Sequence, residues 1–496
     1  PMPSSRFSIL FLVLTTMCLS IFAAPPAAPK GKAKAAAPAA AAPAVDPISA
    51  YLLCQKIASP EFAGRLTGHP GYTDAARWAA GQFQEWGLKP LAGMPEYLQE
   101  FPAPYTEVTS AAMTLRLPEA KVPVPIKQIS LEVGNDFLPV MYSDSGDHTG
   151  ELVFAGWGIH APELGYDDYA GLDVKGKFVL CFRGTPDPAD KRFTQHDEHR
   201  TRMAAARDRG APGLVYIYDE VQANPNGDWL EGFTPAEISF PAADRILALK
   251  STTAQALQDD LKKYKRPLSF ALDAQLRFQV QSRYFPDATG YNVAGYVEGS
   301  DPQLKNEIVV LGAHFDHCGA HLGFIYPGAN DNGSGSAVVM ELARVTASLP
   351  VKPKRTLVFV LFGSEEKGLQ GSHTFAEGMP YGFGKTVAML NFDMVGEGDG
   401  GWCGYSAEPA SLLAAIQAAD ADSKVLRGSR PIRGVGVRSS AFAPFFLKGI
   451  PVASFSSNGP HVFYHQPQAA IYRITPAILG AIGALALRLA LSLANQ

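Results

Sequence analysis

The sequence is short of cysteine, short of charge and free of charge bias. Five cysteines fall in 496 residues, without the spacing of a disulfide framework. Cys54, Cys181, Cys318 and Cys403 read as small buried apolar residues, with one bridge left open. Charged residues make up 18% of the chain against 47% hydrophobic, which excludes a wholly disordered or coiled-coil chain. Lys and Arg number 43 and Asp and Glu 47, a formal net charge of −4. Nothing in that balance suggests nucleic acid or an anionic membrane. No G-x-S-x-G elbow surrounds Ser334 in its Gly-rich turn, which argues against a serine hydrolase. The apolar runs at the two ends are short for a membrane span: Ile9 to Leu14 is brief, and Arg488 interrupts the run that begins at Ala477.

What is present begins with an address. Arg6, the short apolar run and the small residues after it describe a secretory signal over residues 1–24. Residues 25–45 are almost only Ala, Pro, Lys and Gly, a tether that cannot form a core. Export to the periplasm or the extracellular space follows, with no stable membrane span after cleavage. Residues 46–91 carry two helical patterns separated by Gly64-Arg65 and Gly68-His69-Pro70-Gly71. Short β-prone runs then dominate to about residue 280, around a helix near Thr201–Arg209. From Tyr291 onward, apolar strands (Glu307–Leu311, Thr356–Phe362, Val387–Phe392) alternate with helices. That pattern predicts an α/β fold with a mixed, mostly parallel sheet flanked by helices. Thr475-Pro476 predicts the N-terminus of a buried terminal helix.

The chemistry gathers at the strand ends of this last region. His314 and Asp316 follow the first strand, Asp331 opens the next helix, Glu365 and Glu366 follow the second strand, and Asp393 ends the third. His465 lies in a late loop. In open α/β sheets, sites form beyond the carboxyl ends of the strands. Histidine with carboxylates is a zinc ligand set, and a carboxylate can bridge two ions. On extended backbone His314 and Asp316 share a face, so Asp316 is placed to accept from the far nitrogen of His314. Glu365 and Glu366 point apart, so one can ligate while the other reaches a water. Each piece alone has an ordinary reading: a turn, a cap or a solvated face. Their order and placement together argue for a metal site. His317, His321, His373 and His461 read as ordinary histidines, with His461 close enough to the last loop to support it.

These residues resemble the co-catalytic zinc aminopeptidases related to glutamate carboxypeptidase. GAHFDHCG (312–319), GANDNGSGSA (328–337), LFGSEEKGLQGS (361–372), LNFDMVG (390–396) and GIPVASFSSNGPHVFYHQP (449–467) carry the resemblance. EFAGRLTGHPGY is similar to that family's N-terminal helices, and the middle of the chain resembles the protease-associated domain that some members carry. The implied domains are 46–135 and 281–496 as one discontinuous catalytic domain of the zinc-exopeptidase fold, with an inserted β-rich domain over 136–280. The implied cofactor is two zinc ions per chain. Asp331 would bridge them, His314 and Asp393 complete one site, and Glu366 and His465 complete the other. Glu365 would be the general base beside Asp316, and the Asp331–Asn332 peptide would be cis. The implied activity is removal of N-terminal residues from a peptide substrate by a metal-bound hydroxide. A carboxypeptidase or dipeptidase is the alternative, for which Arg430, Arg433 and Arg438 offer a carboxylate anchor. An inactive receptor or scaffold of the same fold is an alternative of another class. The chain departs from the family at Ser440-Ala441-Phe442 and at Ala469-Ala470, which bears on substrate recognition.

Overall fold

The computed structural model describes residues 44–118, 128–399, 402–421, 428–431 and 440–496. The signal and nearly all of the tether lie outside the described residues.

A nine-stranded sheet organises the chemistry. Its order is Lys89–Pro90, Thr289–Val297, Thr356–Phe362, Glu307–His314, Lys385–Phe392, Val452–Ser457, Trp402–Glu408, Gly428–Pro431, with Leu98–Pro102 also pairing with Thr289–Val297. The four strands from Thr356–Phe362 to Val452–Ser457 are mutually parallel. Thr289–Val297 and Trp402–Glu408 run antiparallel to them. The mixed, mostly parallel α/β expectation therefore holds. Every residue of Thr356–Phe362 is buried, because helices cover both faces and no polar alternation is needed. Val309, Leu311, Leu357 and Phe359 face one core, which the helices Pro47–Ile57, Pro70–Glu85, Gly335–Ser348 and Pro476–Asn495 complete. Ile308, Val310, Val358 and Val360 face the other, against Phe375 and Phe445 from the short helices Gln370–Glu377 and Ala443–Leu447.

Local chemistry sets the helix ends. Asp46 accepts the Ile48 N–H at 2.9 Å and Pro47 takes the first helical position, a good N-terminal pair. Thr475 sits at the N-cap of Pro476–Asn495 as expected, but its hydroxyl makes no cap bond. That helix is long and apolar enough to cross a membrane by composition. Here Ile478, Leu479, Ile482, Leu485 and Leu489 fill the core instead.

A second, eight-stranded sheet has its own two cores. Its order is Gln128–Leu131, Tyr105–Arg116, Ser269–Phe285, Gly146–Ala155, Phe178–Phe182, Leu214–Tyr218, Ala236–Ser239, Phe137–Pro139. Its outer strands differ from the expected 136–280 boundary. Tyr105–Arg116 pairs along most of its length with Ser269–Phe285, so the sheet begins about thirty residues earlier in the chain and ends past 280. The reason is the length of that hairpin-like pair: its apolar face (Val108, Met113, Leu115 with Leu276, Phe278, Val280) is buried only in this sheet. The four cysteines are free and buried, so no bridge joins them.

Candidate metal centre

Strand ends deliver the side chains. His314 is the last residue of its strand. Asp393 follows Phe392 directly. Glu365 and Glu366 come after the left-handed turn at Ser364, whose φ is 51°. Asp331 precedes the helix Gly335–Ser348, and its peptide bond to Asn332 is cis.

Asp331 stands between two groups. On one side His314 Nε2 lies 3.1 Å from Asp331 Oδ1 and 3.5 Å from Asp393 Oδ1. On the other, His465 Nε2 lies 3.3 Å from Asp331 Oδ2 and 3.1 Å from Glu366 Oε2. Glu365 is half-buried and groups with His314 and Asp393. The two adjacent glutamates thus serve opposite ends of the cluster.

The loops are locked together by amides and hydroxyls. Asn332 Nδ2 donates to Phe392 O at 2.8 Å, and its Oδ1 accepts from Gly335 N and Met394 N. Asn330 Oδ1 accepts from Gly396 N and Glu397 N. Both asparagines therefore tie the Asp331 turn to the Asp393 loop. Ser440 Oγ donates to Asp393 Oδ2 at 2.6 Å. Asp316 differs from expectation. Its carboxylate accepts the Glu365 and Glu366 N–H groups at 3.0 and 3.3 Å. His314 Nδ1 lies 3.8 Å from that carboxylate but 3.2 Å from the Asp316 carbonyl. The backbone oxygen, being nearer, takes the ring proton, and the carboxylate fixes the glutamate turn.

Arg65 is wholly buried and holds the first loop from behind. Its Nε donates to Phe315 O at 2.8 Å, and its Nη atoms donate to Ile57 O, Pro327 O and Gly328 O. Burial pulls its pKa down to about 10 despite the pull of Asp316 and Asp331 upward.

The electrostatics call for cations. Burial disfavours a charged His314, yet Glu365 and Asp393 outweigh it and hold its pKa well above the ordinary value. Burial also works against Asp331 as an anion, but the imidazoles of His314 and His465 beside it bring its pKa well below the usual range. Positive charge supplied from outside would relieve the same imbalance. His465 Nε2 is buried and aimed at two carboxylates, yet it makes no hydrogen bond. Its Nδ1 donates to Ala223 O at 2.8 Å, which leaves the Nε2 lone pair free for a metal. The donor set, imidazoles with carboxylates in a buried cluster, fits zinc.

Sequence reasoning missed several contributors. Ser440, Arg65 and the Ala223 carbonyl carry no ligand signature. His317, read as ordinary, lies in the cluster: its Nδ1 is 2.9 Å from Glu366 Oε1. Its place three residues after His314, at the same strand end, was the available signal. His461 bonds Asn330 at 3.0 Å, His321 bonds the Pro139 carbonyl, and His373 is exposed. Arg430 is described by its backbone alone, and Arg433 and Arg438 lie outside the described residues.

The fold is of the α/β type, and the cluster at its strand ends is a set of side chains able to hold metal ions. Residues 292–490 match peptidase family M28. An aminopeptidase of Pseudomonas aeruginosa is 29% identical over 421 residues, covering 80% of this chain and 67% of that one. Aminopeptidase YwaD of Bacillus subtilis is 27% identical over 328 residues, covering 63% and 61%. Among solved structures, an aminopeptidase from Aneurinibacillus sp. strain AM-1 matches with TM-score 0.63 at 23% identity, over 91% of this chain and 94% of that one. BSAP, a zinc aminopeptidase from Bacillus subtilis, matches with TM-score 0.61 at 19% identity, over 92% and 96%. Residues 292–490 are thus similar to peptidase family M28, and the chain over most of its length is similar to aminopeptidases in sequence and to zinc aminopeptidases in fold.

Proposed function

We propose that this chain is an exported exopeptidase that holds two zinc ions and removes residues from the amino end of peptides. Asp331 bridges the ions. His314 and Asp393 hold the first, and Glu366 and His465 hold the second. The observation that carries this reading is the pair of close contacts on either side of Asp331, to His314 at 3.1 Å and to His465 at 3.3 Å. Bound there, the ions supply Lewis acidity toward the scissile carbonyl and the attacking water.

The rest falls to side chains. Glu365 takes the proton from the attacking water at its carboxylate and returns it to the departing amine. Asp316 holds the Glu365 and Glu366 amides, so both carboxylates keep their aim. Burial pushes the Glu365 carboxyl well above its usual range, and Glu366 and Asp393 add to that push against His314, a setting that favours proton uptake. The region 105–285 is read as a protease-associated-like insert.

One cavity favours the amino end over the carboxyl end. A space of about 690 Å³ beside His465 is lined by Glu132, Asp136, Asp219 and Glu220, with no Lys or Arg among the described residues of its wall. Arg245 engages Asp136, which leaves three carboxylates to attract a free ammonium. A carboxypeptidase would want the opposite sign. Export rests on the leader sequence, Arg6 followed by an apolar run and small residues.

The test is a panel of amino-acid p-nitroanilides set beside N-blocked peptides and C-terminal dipeptides, before and after exhaustive chelation. Turnover of the anilides alone, lost on chelation and restored by zinc, is expected. Activity that survives chelation, or a preference for N-blocked substrates, would sink the reading.

A further inference from the structure

The second group of ligands is larger than the two-zinc reading needs. Asp331, Glu366 and His465 would hold an ion with three protein donors and one open position. His317 stands on the same carboxylates from the other side. Its Nδ1 is 2.9 Å from Glu366 Oε1 and 3.9 Å from Asp331 Oδ2. The donor atoms of His317, Cys318, Glu366 and His465 all lie within 4.8 Å of one another. Donors around one tetrahedral zinc, at about 2.0–2.2 Å from it, stand about 3.3–3.6 Å apart by that geometry. The observed separations straddle this range.

The position of the ring is built, not incidental. His317 is fully buried. Its ring packs edge-on against that of His465, with centroids 5.2 Å apart. The backbone N–H of His317 donates to Arg65 O at 3.1 Å. Gly328 lies directly behind it: a Cβ at 328 would come within 2.4 Å of the His317 ring, and the φ of 54° there already favours glycine. His317 Nε2 is buried with no hydrogen-bond partner, so no protein group competes to turn the ring away.

We infer that His317 is a fourth protein ligand of the second ion, through Nδ1. The inference rests on the two-zinc reading and deepens it. It makes the two sites unequal. The second becomes a closed set of two imidazoles and two carboxylates, the kind that holds an ion firmly. The first, with His314, Asp331 and Asp393, keeps its open position next to Glu365. The side that His314 and Asp393 form beside Glu365 would then face substrate and water, and the ion held with His317 would anchor Asp331.

The experiment is titration of the metal-free enzyme with zinc and with cobalt, in wild type, His317→Ala and His317→Gln, with circular dichroism to check the fold. Calorimetry reads the affinities, and the visible cobalt spectrum reads the ligand field. Wild type is expected to take two ions of unequal affinity. Both variants are expected to bind the tighter one more than 100-fold more weakly, with an altered cobalt spectrum and the weaker site unchanged. Two ions in every protein, an unchanged cobalt spectrum and a loss no greater than the roughly 10–100-fold that a hydrogen-bonding neighbour commands would overturn the inference alone. A single ion in the wild type would overturn the two-zinc reading and the inference with it. The gln variant covers the case in which the alanine variant fails to fold.

Discussion

At the scale of the residue, adjacent carboxylates differ because their neighbours differ. Glu366 is fully inside, between His317 and His465, and those partners overcome burial to bring its pKa down to about 2. Glu365, one residue earlier, keeps partial exposure and faces His314 and Asp393. The proposed ligand and the proposed base are thereby separated by one peptide unit. Glu365→Gln keeps the size and the backbone bond to Asp316 but cannot take a proton. It is expected to bind zinc as the wild type does and to lose turnover by about 10²–10⁴-fold, the usual weight of a general acid–base group. Metal analysis together with kcat checks it, and turnover above a tenth of wild type would remove Glu365 from the proton path. The ligand-type residues were legible in the sequence because imidazoles and carboxylates recur in order at successive strand ends, although each alone has an ordinary use. Ser440 belongs to the stretch where the chain departs from the family, yet its hydroxyl holds Asp393. A serine has too many ordinary roles for its partner to be read without the fold.

At the scale of the element, the buried strands and the helices that cover them were readable because period and burial coincide there. Thr356–Phe362 is a continuous apolar run and is buried throughout. The second sheet was harder. Tyr105–Arg116 alternates exposed and buried residues, a pattern that fits either sheet until its partner, far along the chain, is known. One turn of that sheet carries a buried carboxylate whose cost is measurable. Asp168 accepts from Trp157 N, Ile159 N and Tyr166 Oη, but burial outweighs these bonds and raises its pKa to about 7. The folded state therefore holds a proton that the unfolded chain releases near 4. Between about pH 4 and pH 7 the unfolded state binds fewer protons, so stability falls as pH rises through that window and levels off above it. Asp168→Asn keeps an acceptor and a dipole without the charge. It is expected to gain stability relative to wild type as pH rises from about 4 to about 7, with no difference in trend below pH 4. Denaturant midpoints across that range test it, and parallel curves for the two proteins would rule out Asp168 as the source.

At the scale of the whole molecule, the second sheet reaches into the candidate metal centre. The loop after Leu214–Tyr218 brings Ala223 against His465, and the two residues clasp each other. Ala223 N donates to His465 O at 3.1 Å, and His465 Nδ1 donates to Ala223 O at 2.8 Å. His465 has a φ of 54°, a left-handed conformation that is uncommon away from glycine, although histidine enters it more readily than most side chains. Contact between the two sheets therefore sets both the tautomer and the backbone of a proposed ligand. No sequence pattern announces this, because a backbone carbonyl has no residue identity. An insert of this sort would be expected to act on substrate choice, and its geometry ties it to metal retention as well. Ala223→Pro removes the N–H and leaves the carbonyl, while Ala223→Gly keeps both. The proline variant, which opens the clasp and lets the Ala223 carbonyl shift from the His465 ring, is expected to hold the second ion less tightly, by up to the roughly 10–100-fold that full loss of a ligand's outer partner costs, with the first ion unaffected. The glycine variant is expected to match wild type. Zinc per chain after dialysis against graded chelator distinguishes them. Equal retention in all three proteins would mean that His465 is held by its own loop, and that the second sheet is attached to the metal centre without supporting it.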